Sequence, residues 1–165
     1  LAPGLFGPCG YGFPSIIGAK IGCPDTPVVG FSGDGAFGIS MNELSSIGRD
    51  EWPAITMVIF RNYQWGAEKR NSTLWFDDNF VGPELDTKVS YAGIAQACGL
   101  LGVQVKTMDE LTAALNLAIK DQMENNKTTL IEVILNQELG EPFRRDAMKR
   151  PVQVAGIDAA DMAAE

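Results

Sequence analysis

Apolar residues run along the chain in short blocks, each closed by glycine, proline or a polar cluster. Pro27-Val28-Val29-Gly30-Phe31-Ser32 reads as a buried strand running into Gly33-Asp34-Gly35. Ala54-Ile55-Thr56-Met57-Val58-Ile59-Phe60 is the clearest strand, apolar on both faces, as in the centre of a parallel sheet covered by helices. Residues 102–106 and 128–135 read as two more strands. Helical signals alternate with these. Residues 15–21 suit a short helix of small residues. Ser40 with Glu43 three positions on reads as a capping box, and Leu44 and Ile47 supply the apolar side. Ser90 is placed to cap a helix through Cys98. Thr107 and Glu110 form a second capping box before Leu111, Leu115, Leu117, Ala118 and Ile119, which carry the pattern to Asn125-Asn126. Residues 1–14 read as a glycine- and proline-rich loop, 61–66 as a loop, and 71–86 as a long aromatic and acidic one. The expected class is α/β, a mostly parallel sheet with helices on both faces. Residues 1–135 are expected to form the domain and 136–165 a C-terminal tail.

Composition narrows the function. A chain of 165 residues that is 45% apolar suits one domain with a sizeable core. Its net charge of −8 repels phosphate backbones and anionic bilayers, so neither nucleic acid nor membrane is an expected partner. Histidine is absent, which excludes His-based triads, His general bases and His–Cys zinc sites within these residues. Cys9, Cys23 and Cys98 are odd in number and far apart, read as small buried hydrophobes, and suit a reducing cytoplasm. The opening Leu1-Ala2-Pro3-Gly4 reads as the interior of a longer polypeptide.

Ligands of open parallel sheets sit at the carboxyl ends of strands. Two such ends carry chemistry, Gly33-Asp34-Gly35 and Arg61-Asn62-Tyr63-Gln64. Gly33-Asp34-Gly35-Ala36-Phe37-Gly38 matches the spacing of a dinucleotide-binding turn. A carboxylate between the glycines would face a pyrophosphate unscreened, and the next strand ends in Arg61-Asn62 where such a site wants an acid. A second reading adds a metal. Asp34 binds Mg²⁺, the ion bridges to a diphosphate, and the glycines admit backbone N–H groups. The Asn62 amide oxygen and the Gln64 carbonyl are candidates to complete the protein's share of the octahedron. The plain alternatives are a turn-forming Asp34 and a loop-capping Asn62.

Gly33-Asp34-Gly35 followed by Asn62 resembles the signature of the thiamine diphosphate-dependent enzyme family, of acetolactate synthase type. Gly7-Pro8-Cys9-Gly10-Tyr11-Gly12-Phe13-Pro14 resembles the loop that precedes that signature. The resemblance implies the thiamine diphosphate-binding fold, with thiamine diphosphate and Mg²⁺ as cofactors. Asp34, Asn62 and the Gln64 carbonyl would hold the metal. Gly33, Gly35, Ala36, Trp65 and Gly66 would surround the cofactor, with backbone N–H groups of Gly35 and Ala36 on the diphosphate. The Gly7 carbonyl would accept from the aminopyrimidine. Cys9 stands where the family carries a larger apolar residue under the bent cofactor, and Arg61 stands for the first Asn of the usual Asn-Asn. The family's activating glutamate lies on another domain, from a neighbouring subunit, and no acid in this chain matches it. The resemblance therefore implies missing N-terminal domains, a homodimer or homotetramer, and no turnover by these residues alone.

Residues 52–71, the Leu74-Trp75-Phe76-Asp77-Asp78-Asn79-Phe80 block and Arg145-Asp146-Ala147-Met148-Lys149-Arg150-Pro151-Val152 are similar to the branch of the family that acts on sulfoacetaldehyde. That implies small anionic substrates, sulfoacetaldehyde and phosphate, with Arg61, Lys69 and Arg70 as candidate partners. The alternatives are solvated charges for Lys69 and Arg70, a structural loop residue for Arg61, and ordinary packing for Tyr63 and Trp65. Other family lyases or carboligases, and a non-catalytic domain that keeps the fold, are the rival functions. The dinucleotide reading has a direct check: a nicotinamide fluorescence titration of the full-length protein is expected to show no binding, and a saturable signal would revive it.

Overall fold

A computed structural model describes residues 1, 2, 4 and 6–137. The expected tail from 138 onward, with the 145–152 block, lies outside the described residues. In chain order the elements are α1 (Gly12–Gly22), β1 (Val29–Gly33), α2 (Asp34–Ser40), a 3₁₀ turn (Met41–Glu43), α3 (Leu44–Ile47), β2 (Thr56–Arg61), α4 (Gly66–Trp75), α5 (Tyr91–Ala97), β3 (Leu101–Val105), α6 (Met108–Glu124) and β4 (Thr129–Ile134). The four strands form one parallel sheet in the order β1-β2-β4-β3.

Both faces of the sheet are packed. On one side Met57, Ile59 and Leu130 meet Phe13 and Ile16 of α1, Phe37 of α2, Leu44 and Ile47 of α3, and Tyr91, Ala92 and Ala95 of α5. On the other, Val58, Ile131, Val133 and Val105 meet Ala118 of α6, with Leu111, Ala114 and Leu115 partly buried beside them. The near-continuous apolar run of β2 follows from this covering. Among the described residues no helix is long and apolar enough to cross a membrane.

Two helix starts agree with the capping signals. The Ser90 hydroxyl accepts from the Gly93 N–H, and Thr107 and Glu110 form the reciprocal capping box at the head of α6. The other signal does not hold. Ser40 makes no capping hydrogen bond, and the helical chain begins six residues earlier, at Asp34, directly from the extended Gly33. Phe37, fully buried, is the apolar anchor the spacing of Leu44 and Ile47 concealed. The expected loop at 71–86 is helical up to Trp75, because α4 is polar along most of its length and leaves no apolar period to read. Helix α1 begins at Gly12 rather than at 15.

Gly102 lets α5 lie on β3: a Cβ there would stand 2.1 Å from the Ala92 carbonyl oxygen. Gly102→Ala is expected to cost about 1–3 kcal/mol through overpacking, and Thr107→Ala about 1 kcal/mol through loss of its cap. Urea midpoints of the two variants check both the sizes and their order.

Candidate functional site

Strands β1 and β2 lie side by side with Gly33 opposite Phe60, so Asp34 and the 61–64 segment leave the same edge of the sheet together. The Asp34 carboxylate is buried, at 2% exposure. Its Oδ1 accepts from the Gly35 N–H at 2.9 Å. Its Oδ2 accepts from the Tyr63 N–H at 2.7 Å. Tyr63 reaches this position with φ +62°, a left-handed turn that swings its amide back toward β1. The turn is held from outside by Trp65 N–H to the Pro83 carbonyl at 2.6 Å and Leu85 N–H to the Tyr63 carbonyl at 2.8 Å.

Asn62 faces the same carboxylate. One terminal atom of its amide lies 3.2 Å from Asp34 Oδ1 and 3.0 Å from the Gln64 carbonyl oxygen. With nitrogen in that place the contacts are two hydrogen bonds. With oxygen there, three oxygens face one another with no proton between them. In an octahedron with metal–oxygen bonds of about 2.1 Å, adjacent ligand oxygens stand about 3.0 Å apart. The separations suit a small hard cation. The described residues hold no cluster of three or more Asp, Glu or Cys able to bind a metal, so this donor set rests on one carboxylate, an amide and a carbonyl.

A cavity of about 380 Å³ opens beside these atoms, lined by Cys9, Gly33, Asp34, Gly35, Ala36, Asn62, Gln64, Trp65, Gly66 and Arg70 among others. Gly7 is exposed and is not among the lining residues. The Trp65 ring lies against Gly35, where a Cβ would stand 2.9 Å from the indole. Behind Trp65 a second cavity of about 420 Å³ is lined by Ile39, Met41, Leu85, Val89 and Tyr91, with Asp34 and Arg61 at its wall.

Arg61 and Lys69, both expected to meet substrate anions, are engaged by the protein's own groups. Arg61 is 1% exposed. Its Nη1 lies 3.4 Å from Asp34 Oδ2 and its Nε 3.4 Å from Glu132 Oε1. Its Nη2 donates to the Asp86 and Val89 carbonyls at 2.7 and 3.0 Å. Its guanidinium carbon stands 4.4 and 4.5 Å from the ring centres of Tyr63 and Tyr91. Held in this way, Arg61 at the end of β2 is engaged by the protein's own groups while also bordering the cavity of about 420 Å³. The Lys69 ammonium pairs with Glu84 and donates to Gln64 Oε1 at 3.1 Å, beside the Phe80 ring. Arg70, the third basic residue so expected, lines the smaller cavity.

The motifs did not single out Glu132, which is fully buried in the middle of β4. A carboxylate inside the apolar run Leu130-Ile131-Glu132-Val133 was itself a signal, since a charge there demands a partner. Its Oε2 accepts from Ser90 Oγ at 3.1 Å, the Ala92 N–H at 3.1 Å and Gln104 Nε2 at 3.0 Å. Tyr91, whose hydroxyl donates to the Asp34 carbonyl at 3.2 Å, has its pKa raised, chiefly by burial. If Arg61 anchors two buried carboxylates, Arg61→Met is expected to destabilise the fold by about 3–5 kcal/mol, and Lys69→Met, at a half-exposed pair, by about 0–1 kcal/mol. Chemical denaturation of both variants distinguishes an anchor from a surface charge.

Residues 1–133 match the model of the thiamine pyrophosphate enzyme C-terminal TPP-binding domain. The chain is 79% identical, over 162 residues and 98% of its length, to sulfoacetaldehyde acetyltransferase of Roseovarius nubinhibens, covering 27% of that protein. It is 29% identical over 110 residues to the acetolactate synthase isozyme 2 large subunit of Escherichia coli, covering 67% of this chain and 20% of that one. Among solved structures, benzoylformate decarboxylase of Polynucleobacter necessarius superposes with a TM-score of 0.69 at 25% identity, over 83% of this chain and 25% of that one. The chain thus spans about a quarter of the length of the curated relatives it matches. With a parallel sheet, a buried aspartate at the end of β1 and a family match across the described fold, the chain belongs to the thiamine pyrophosphate-dependent enzymes, as their C-terminal TPP-binding domain.

Proposed function

We propose that the full-length protein carrying this chain is a sulfoacetaldehyde acetyltransferase, converting sulfoacetaldehyde and phosphate to acetyl phosphate and sulfite. The observation that carries this reading is the 79% identity, across 98% of the chain, to a protein of that name, against 29% to an acetolactate synthase. Thiamine diphosphate, when bound, would supply a nucleophilic carbanion and an electron sink for this chemistry.

The contribution of these residues is to hold the cofactor's diphosphate end. Asp34, the Asn62 amide oxygen and the Gln64 carbonyl would hold Mg²⁺, a reading supported by the distances of one Asn62 amide atom to Asp34 Oδ1 and to the Gln64 carbonyl oxygen, 3.2 and 3.0 Å. Gly33, Gly35 and Ala36 would let the diphosphate approach the head of α2, with the Gly35 N–H already held by Asp34 Oδ1. Trp65 and Gly66 wall the cavity, Cys9 closes it, and the Gly7 carbonyl takes the aminopyrimidine. Arg70, lining that cavity, is the basic residue best placed for a substrate anion. The activating acid belongs to another domain of a neighbouring subunit, which makes the working unit a homodimer or homotetramer. Cys9 and Cys23 are exposed and Cys98 half-buried, so none is the buried hydrophobe the sequence suggested, and as free thiols they suit a cytoplasmic setting.

The full-length protein with Mg²⁺, thiamine diphosphate, phosphate and sulfoacetaldehyde is expected to release sulfite and acetyl phosphate in equal amounts. Absence of sulfite with the cofactor still bound would shift the reaction to pyruvate- or glyoxylate-type substrates. Asp34→Ala is expected to abolish Mg²⁺-dependent cofactor binding, and unchanged binding would defeat the metal assignment.

A further inference from the structure

Glu132 does not line the cofactor cavity, yet one guanidinium ties it to the carboxylate that does. Arg61 stands between two buried acids, 3.4 Å from Asp34 Oδ2 and 3.4 Å from Glu132 Oε1. Its other groups are pinned. Nη2 is held by the Asp86 and Val89 carbonyls, and the faces are covered by Tyr63 and Tyr91. Glu132 is equally fixed, because Ser90, Ala92 and Gln104 all donate to Oε2 and leave Oε1 turned toward Arg61. The guanidinium cannot swing toward either acid without giving up these contacts. Its charge is therefore divided between them.

The three side chains sum to one negative charge inside the protein. The remaining negative charge is available to a cation at Asp34 Oδ1, the oxygen that Arg61 does not touch. Without Glu132 the sum would be zero, and Asp34 would keep the guanidinium to itself. A cation would then compete with a complete ion pair in a poorly screened setting.

We propose that Glu132 is a positioning residue that sets the divalent-cation affinity of Asp34 by drawing on the Arg61 charge from the opposite side. This rests on the reading of Asp34 as a cation ligand. It assigns a role in the site to a strand residue one element away from it, and it explains why a charge is kept at a position of full burial.

The test is a Mn²⁺ titration of the full-length protein at fixed thiamine diphosphate, with bound ion read by electron paramagnetic resonance. Glu132→Gln is expected to raise the Mn²⁺ dissociation constant about tenfold, the size expected for one unit of buried charge a short distance away. Glu132→Asp, which keeps the charge, is expected to recover most of the affinity. A merely structural role would lower the melting temperature of Glu132→Gln and leave the dissociation constant of the folded protein alone. Gln104→Lys works from an exposed position whose side chain already reaches Glu132. It places a second cation on the same carboxylate and is expected to weaken Mn²⁺ binding about threefold. If Glu132→Gln does not fold, Gln104→Lys decides the matter. Wild-type Mn²⁺ affinity in the folded variants overturns the proposal while leaving Asp34 as the ligand. A wild-type protein with no Mn²⁺ site that Asp34→Ala removes overturns the reading of Asp34 and the proposal with it.

Discussion

The carboxyl edge of the sheet is organised around one buried guanidinium. Asp34 follows β1, Arg61 ends β2 and Glu132 sits within β4, three neighbouring parallel strands whose charged groups meet at Arg61. Burying three ionised groups is costly unless each is paired and hydrogen-bonded. Here the cost is offset by backbone donors on both carboxylates, two carbonyls on the guanidinium and two aromatic faces. The same contacts bind the 86–90 segment and the head of α5 to the strand ends. Removing the guanidinium would thus loosen the loop, the helix and the aspartate at once.

This arrangement separates two tasks that look alike in a list of charged residues. Arg61 and Lys69 hold protein to protein, one inside the molecule and one across the 64–84 bridge. The smaller cavity is bounded by glycine backbone, Asn62, Gln64 and the Trp65 ring, with Asp34, Glu68 and Arg70 as its charged residues. A diphosphate with its ion suits such a surface, since backbone N–H groups and a hard cation carry the anion's charge without a cluster of basic side chains.

What the sequence made legible was mostly local. Ser90 and Thr107 announce their helices because a capping hydrogen bond needs only the next few residues. Strand β2 declares itself through a near-continuous apolar run, which a sheet covered on both sides sustains. The start of α2 was hidden, because its anchor Phe37 stands among glycines and its first residue is an aspartate. The polar face of α4 hid that helix for a related reason. Asp34, Asn62 and Gln64 could be grouped because their spacing and strand-end positions are visible along the chain. The fate of Arg61 could not be read, since most of what decides it comes from the 86–89 carbonyls, Tyr91 and Glu132, far from it in sequence and brought to it by the fold.

The contact between Trp65 and Gly35 has a consequence for how this chain can change over time. A side chain at 35 and an indole at 65 claim the same space, with only 2.9 Å between a Cβ and the ring. A side chain at residue 35 would require the indole at 65 to shift or to give way to a smaller residue. Two positions thirty residues apart on the chain are thus coupled in size through the cavity wall they share.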